Sequence, residues 1–423
     1  MPSRTHSTGR PALFAFLSIS FLFFSSPSSS HGGARHDFKL AGGKWFDGQA
    51  FVGRTVYSVA GTFRDAWDGP VEATVDLSGT FVVGPYADVH THDLGGGPDP
   101  EGRIRERLRQ GVFYLKNTNS VPRWAAAFKP LVNRPESVDV AWANGGLTAS
   151  GGHPIQIYEN VVARPPVADW TKADLPDQAY VVVDDAAALD AKWPRILAGK
   201  PDFLKIYLEH SEEFARRRDD PSFFGRKGLD PALVPAIVAK AHAAGLRVTA
   251  HARTAADFRA ALAGGVDELA HLPLARLTAE DARRCAARKV TVVTTTLGHW
   301  DREGIADVDA IHRENLALLK AAGVTVVFGV DGHPPLLAEV ENVRRMGVYG
   351  DAALLRMLTS DGPRAVFPHR KIGCLADGCE ATLLALYGNP LEDFGALRMI
   401  RTRVKEGFVL RGLDGAAAPP PHG

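Results

Sequence analysis

The sequence predicts an α/β fold: a (β/α)8 TIM-like barrel with a small β-sandwich domain formed by the N- and C-terminal segments. Three observations predict it. From about Phe81 to Pro368, short apolar runs alternate with helical patterns, the mark of βαβ units and a parallel sheet. Eight such runs can be counted, which argues for a closed barrel rather than an open sheet. Both chain ends read instead as short strands set between Gly and Asp turns. The 423 residues have room for a barrel of about 250 residues and a smaller attached domain.

Taken in order, residues 1–33 read as a signal peptide. Arg4 and Arg10 precede an apolar run, Pro11–Phe24, and a Ser/Pro/Gly-rich stretch follows, Ser25–Ala34. That is the charged, apolar, small-residue order of an export signal. The run is shorter than the roughly 20 residues a membrane span needs. The alternative is an uncleaved N-terminal anchor. The expected location is secreted or periplasmic, with no membrane association after cleavage.

Residues 34–80 read as the N-terminal part of the β domain, with a turn-rich piece at Lys39–Gly48 and an alternating piece at Arg54–Ala60. Residues 81–368 hold the barrel. Its strands are expected at Thr80–Val89, Val112–Asn117, Leu147–Gly152, Phe203–Leu208, Arg247–Ala252, Asp267–Leu272, Val290–Thr296 and Val324–Asp331. Pro231–Ala244 and Ala255–Ala263 read as intervening helices, with Gly245 and Gly264 where a helix C-terminus prefers glycine. Residues 369–412 return to the β domain through Ala381–Tyr387 and Arg403–Leu410, and 413–423 read as a disordered tail.

A formal net charge of +1 and the lack of a basic run with interleaved aromatics argue against a nucleic-acid partner. Of the three cysteines, Cys374 and Cys379 flank a short turn-like Leu-Ala-Asp-Gly. Either they meet across a hairpin as a disulfide or they remain two free thiols, since connectivity is not written in sequence. Cys285 lies in a helical stretch and reads as a free packed thiol.

The chemistry collects at strand ends. His90 and His92 close the first strand, Lys205 lies in the fourth, His251 in the fifth, His271 in the sixth and Asp331 in the eighth. Barrel strands direct their C-terminal ends to one mouth, so these groups converge. Residues i and i+2 of a strand point the same way, so His90 and His92 can grip one ion. Imidazole and carboxylate donors suit zinc and similar borderline metals. A lone strand histidine is more often packed or hydrogen-bonded than a ligand. Recurrence across five βα units is poorly explained by accident, because buried polar groups without partners are costly.

These residues also carry a resemblance to the amidohydrolase superfamily of metal-dependent hydrolases. Ala87–His92 is similar to the family's His-x-His strand, Val248–His251 and Glu268–His271 to its two later His strands, and Phe328–Asp331 to its final Asp strand. Asp202–Ile206 resembles the Lys strand of the prolidase-like, imidazolonepropionase-related branch. The resemblance implies two divalent metal ions, zinc by default, bridged by N6-carboxylysine at Lys205. It implies His90, His92 and Asp331 on the more buried ion and His251 and His271 on the other, with Asp331 as general base and then acid. The reaction expected is hydrolysis of an amide, cyclic amide or ester, with a peptide-like C–N bond preferred. The expected partner is a small-molecule or dipeptide-like substrate, and a homo-oligomer is left open.

Substrate contacts are expected from His153, whose Gly-Gly-His setting resembles a third-strand end in the branch. They are also expected from Tyr207, two residues after Lys205, and His333, two after Asp331. The run after the fourth strand, Glu209–Arg226, lacks the branch's Ser-Gly-Gly stretch and reads as a solvated face or a lid. Two other readings remain: a mononuclear cyclic amidase or deaminase of the same superfamily, and an exported non-enzymatic binding or scaffold protein.

Overall fold

The computed structural model describes residues 37–163, 170–298, 305–332 and 334–413. The signal-peptide segment, most of the tail and His333 lie outside the described residues. The fold is α/β, with parallel sheets in the middle of the chain and β-rich sheets drawn from both ends.

Two sheets form the β-rich part. One runs Thr62–Arg64, Val56–Val59, Phe38–Ala41, Ala73–Asp76. The other runs Phe408–Val409, Ile400–Lys405, Leu383–Leu386, Phe81–Val83, Lys44–Phe46, Phe51–Gly53, so it interleaves the two chain ends. Phe38, Leu40 and Val56 of the first sheet share one apolar core with Trp45, Val82, Leu383 and Val404 of the second. The expected first barrel strand is divided. Phe81–Val83 pairs antiparallel with Leu383–Leu386, and after Gly84-Pro85 the chain enters Tyr86–Thr91 of a parallel sheet. A Cβ on Gly84 would come within 2.6 Å of the Thr359 carbonyl oxygen, so this corner requires glycine. Cys374 and Cys379 are joined in a disulfide, which decides the alternative left open by the sequence. Cys285 is buried and free.

The parallel strands form two sheets. One holds Tyr86–Thr91, Val112–Asn117 and Asp139–Trp142. The other holds Tyr180–Val182, Gly146–Thr148, Leu204–Leu208, Val248–Ala252, Glu268–Leu269, Thr291–Val293 and Val326–Val327. Backbone hydrogen bonds join them on both sides. The Val89 N–H donates to the Phe328 oxygen at 2.9 Å, and the Val330 N–H donates to the His90 oxygen at 3.0 Å. On the other side the Asp202 N–H donates to the Trp142 oxygen at 2.8 Å. The parallel strands therefore run round a circuit, as a barrel requires. The sequence reading missed Asp139–Trp142, the first piece of the third strand, and the outlying Tyr180–Val182. Both are short, and Asn144-Gly145-Gly146 interrupts the apolar run between the two pieces of the third strand.

The helices are built by ordinary capping. Thr254 and Thr278 each start a helix with a capping box closed by an aspartate, Asp257 and Asp281. Gly265 ends Ala255–Gly264 in the left-handed region. Val, Leu, Ile and Ala from both strand faces and helix undersides form one large core, including Val89, Leu115, Ile206, Ala250, Val292 and Val327. This core fixes the strands, and the strands aim the side chains described next.

Candidate metal centre

His90 lies in its strand, and His92 is one residue past the end. Lys205 and His251 lie in theirs, while His271 and Asp331 follow the short strands Glu268–Leu269 and Val326–Val327. All six line one cavity of about 840 Å³ at the C-terminal ends of the parallel strands.

Asp331 stands at the centre of this group. Its Oδ1 lies 3.2 Å from Nε2 of His90 and 3.1 Å from Nε2 of His92, and its Oδ2 lies 3.9 Å from Nδ1 of His271. Asp331 adopts a left-handed φ of 47°, and its N–H is held by the His90 carbonyl oxygen at 2.9 Å. That conformation is costly for most residues and tolerable for Asp. The tightest donor group is His90, His271 and Asp331, whose ligand atoms lie within 4.8 Å of one another. This differs from the expected grouping of His90 with His92 and Asp331, although His92 still reaches Asp331.

Outer partners fix the rings. Nδ1 of His90 lies 3.1 Å from the Ala270 carbonyl oxygen, and Nδ1 of His92 lies 3.2 Å from that of Asn119. A carbonyl only accepts, so a neutral ring that donates from Nδ1 turns its Nε2 lone pair inward, where Nε2 of each ring faces Oδ1 of Asp331. Burial, with the Lys205 ammonium second, pushes His90 down to about 3. Burial likewise pushes His153 and His251 to about 3 and His271 well below its ordinary value. The imidazoles of His90, His153, His251 and His271 are therefore neutral near neutral pH, the form that binds metal. Burial opposes ionisation of Asp331, but His90 and His271 outweigh it and hold the carboxyl well below its usual range.

Lys205 is 1% exposed, and among the described residues its Nζ has no hydrogen-bond partner. Burial pushes it down to about 7, so a large fraction of the amine is neutral near neutral pH. Its nearest aromatic face is that of Tyr207, whose ring centroid lies 5.3 Å from Nζ. A buried polar atom without a partner is expensive. An orphaned amine among neutral imidazoles and one ionised carboxylate is therefore a donor set that fits a divalent cation.

The other expected contacts divide. Tyr207 and His153 both line the cavity, with the His153 ring stacked on His251 at 4.6 Å and 5.3 Å from Tyr207. His333 lies outside the described residues.

The sequence reading also missed a residue. Glu209 opens the run that the sequence offers as a solvated face or a lid. It is 6% exposed, lines the cavity, and puts Oε2 2.9 Å from Nε2 of His251. Its Oε1 lies 3.5 Å from Nε of Arg253. The signal was present: Lys205, Tyr207 and Glu209 continue the i, i+2, i+4 alternation that brings one strand face to the mouth. The cavity wall away from these groups is apolar and aromatic, with Val121, Trp124, Pro154, Ile157, Tyr158 and Val161.

Comparison with known proteins agrees with this architecture. The model of the amidohydrolase family matches residues 222–407. No curated protein sequence matches the chain. A prolidase solved with N-methylphosphonate-L-proline is 20% identical with a TM-score of 0.69, over 88% of this chain and 99% of its own. A Xaa-Pro dipeptidase with methionine in its active site is 18% identical with a TM-score of 0.70, over 89% and 100%. The ochratoxinase of A. niger is 17% identical with a TM-score of 0.69, over 89% and 96%. At these identities the likeness is one of fold.

Proposed function

We propose that the chain is a member of the amidohydrolase superfamily, whose model matches residues 222–407, and a metal-dependent hydrolase of an amide-type carbon–nitrogen bond. The parallel circuit is read as a closed (β/α)8 barrel and the two end sheets as its β-sandwich. His90, His92, His251, His271 and Asp331 would hold divalent ions, zinc by default, with Lys205 as the bridging N6-carboxylysine. The observation that carries the reading is the buried, unpartnered Lys205 amine among neutral histidines and one ionised aspartate.

When bound, the metal would lower the pKa of water and polarise the scissile carbonyl. The rest falls to the chain. A neutral lysine amine condenses with carbon dioxide and releases a proton to solvent, which replaces a cation by a carbamate with two anionic oxygens. Asp331, kept ionised, accepts the proton of the attacking water and returns it to the leaving amine. Tyr207 and His153 face the same space and orient the substrate. The apolar wall formed by Trp124, Ile157, Tyr158 and their neighbours accepts an apolar substituent and excludes water. A small amide or dipeptide-like substrate with an apolar group fits this division. Likeness of fold to a prolidase and a Xaa-Pro dipeptidase supports a peptide-like bond. Export is supported by the N-terminal charge and apolarity pattern and by the Cys374–Cys379 bond, which persists in oxidising compartments.

The test is metal stoichiometry on the wild type beside Lys205→Ala, followed by a panel of dipeptides, cyclic amides and esters. About two ions per chain, falling on substitution, is the expected result for a bridged site. A second reading has its own support, because the tightest donor group, His90, His271 and Asp331, is a set for a single ion. About one ion in both proteins would establish that mononuclear reading and sink the bridged one. Retained metal without turnover across the panel would leave a binding protein.

A further inference from the structure

We propose that Thr295 is a positioning residue that locks the ring plane of His271, and that the strained turn after strand Thr291–Val293 is held in shape to keep its hydroxyl on that ring. The inference rests on the metal-dependent reading above. It adds a residue to that reading, one that acts through an expected metal ligand.

Backbone conformation singles Thr295 out. Its φ of 46° lies in the left-handed region. Glycine takes that region freely and Asn or Asp at small cost, but a β-branched side chain crowds the backbone there. Among the described non-glycine residues with a left-handed φ, Thr295 is the only β-branched one. A turn that had only to redirect the chain would be served better by glycine. Thr295 instead supplies a hydroxyl. The residue is fully buried, and its Oγ1 lies 2.8 Å from Nδ1 of His271. A hydroxyl both donates and accepts, so the contact forms whichever ring nitrogen carries the proton.

The backbone on either side is pinned, which keeps the strained conformation in place. Before it, the Thr294 N–H donates to the Val327 oxygen at 3.0 Å. After it, Oε1 of the buried Glu339 accepts from the Thr296 N–H at 2.7 Å and the Thr296 hydroxyl at 2.9 Å. Oε2 of Glu339 accepts from the Leu297 N–H at 2.9 Å. Asn342, in the same helix Leu336–Arg345, donates to the Thr296 hydroxyl at 2.8 Å. The clamp matters because of where His271 sits. Its ring centroid lies 4.6 Å from that of His90 and 4.6 Å from that of His251. A turn of the His271 ring would therefore disturb ligands expected on both ions, and Thr295 resists that turn.

The experiment uses the full-length chain as wild type, Thr295→Ser, Thr295→Val and Thr295→Gly. Ser keeps the hydroxyl without the branch, Val keeps the branch without the hydroxyl, and Gly keeps neither. Gly also fits the turn without strain, so it covers the case of a Val chain that does not fold. Zinc affinity is read by competition with a chelator, and melting temperature on the metal-free protein. Nitrogen NMR of labelled histidines in the metal-free protein reads the His271 ring, assigned by its loss in His271→Asn. Zinc affinity should follow the hydroxyl: within about threefold of wild type in Ser, and about 10–100-fold weaker in Val and Gly. The His271 signal should shift in Val and Gly and stay in place in Ser. Wild-type zinc affinity in Val and Gly overturns the proposal. Zinc affinity that falls in step with melting temperature across all three variants also overturns it, since Thr295 would then only support the fold. A wild type that binds no zinc refutes only the metal-dependent reading. The His271 signal then decides this one, and a signal unmoved in Val and Gly overturns it.

Discussion

Two lysines buried inside the ring of parallel strands show how differently the two depths of the molecule use the same side chain. Lys116 is 3% exposed, and its Nζ lies 2.8 Å from Oε1 of Glu268 and 3.0 Å from Oγ1 of Thr249. Lys205 is as deeply buried, yet its Nζ has no hydrogen-bond partner among the described residues. Burial lowers the pKa of both, but only at Lys116 does an adjacent carboxylate answer it through an ion pair. Beneath the mouth, Lys116 is paired and serves the fold. At the mouth the Lys205 amine is left incomplete, and an incomplete buried group implies something that completes it.

The strongest way to break this comparison is at the mouth. Asp331→Asn keeps the shape and removes the proton acceptor together with an anionic donor to the proposed metal. Activity on the best substrate of the panel should fall by about 10⁴-fold, with the circular dichroism spectrum and melting temperature unchanged. Activity within tenfold of wild type would remove Asp331 from its role.

The two lysines can then be compared directly. Lys116→Met leaves Glu268 buried without its partner and should cost about 3–5 kcal/mol in urea unfolding of the metal-free protein. Lys205→Met breaks no hydrogen bond among the described residues and removes a buried amine that none of them pairs. Its metal-free stability should match or exceed wild type. Equal losses in the two variants would mean that Lys205 is an ordinary structural lysine.

The same distinction explains what was legible in the sequence. That His90, His92, Lys205, His251, His271 and Asp331 come to line one cavity could be read, because strand periodicity and a circuit of parallel strands place strand ends together whatever the loops do. The division of the third strand at Asn144–Gly146 was not legible, because the apolar run there is broken and its pieces are three or four residues long. Glu209 was lost for a different reason. It stands beside Glu212, Glu213 and three arginines, and composition alone assigns such a run to solvent. Its burial depends on Asp257 folding the next turn back over it, a contact across 46 residues that local pattern does not carry. The Cys374–Cys379 pair lay between these cases, since spacing allowed a bond without requiring it.

The smallest expected effect extends the comparison to carboxylates. Asp331 is held ionised by the imidazoles of the proposed centre, whereas Asp281 is held by a permanent structural partner. Burial pushes Asp281 up. The Arg259 guanidinium, 2.8 Å from each of its oxygens, and the Thr278 N–H and hydroxyl outweigh that and bring it to about 2. The folded value lies below the ordinary 3.8, so the unfolded chain binds more protons through this interval. The stabilisation is therefore present in full above pH 3.8 and is lost as the pH falls through about 2. Full burial would make it about 2 kcal/mol, and with the Arg259 side chain 44% exposed a smaller value of about 1 kcal/mol is expected. Unfolding free energies of wild type and Asp281→Asn, measured from pH 2 to pH 5, should converge at the acid end and separate by that amount at the other. A separation constant across the interval would show that Asp281 acts through packing or helix capping and not through its charge.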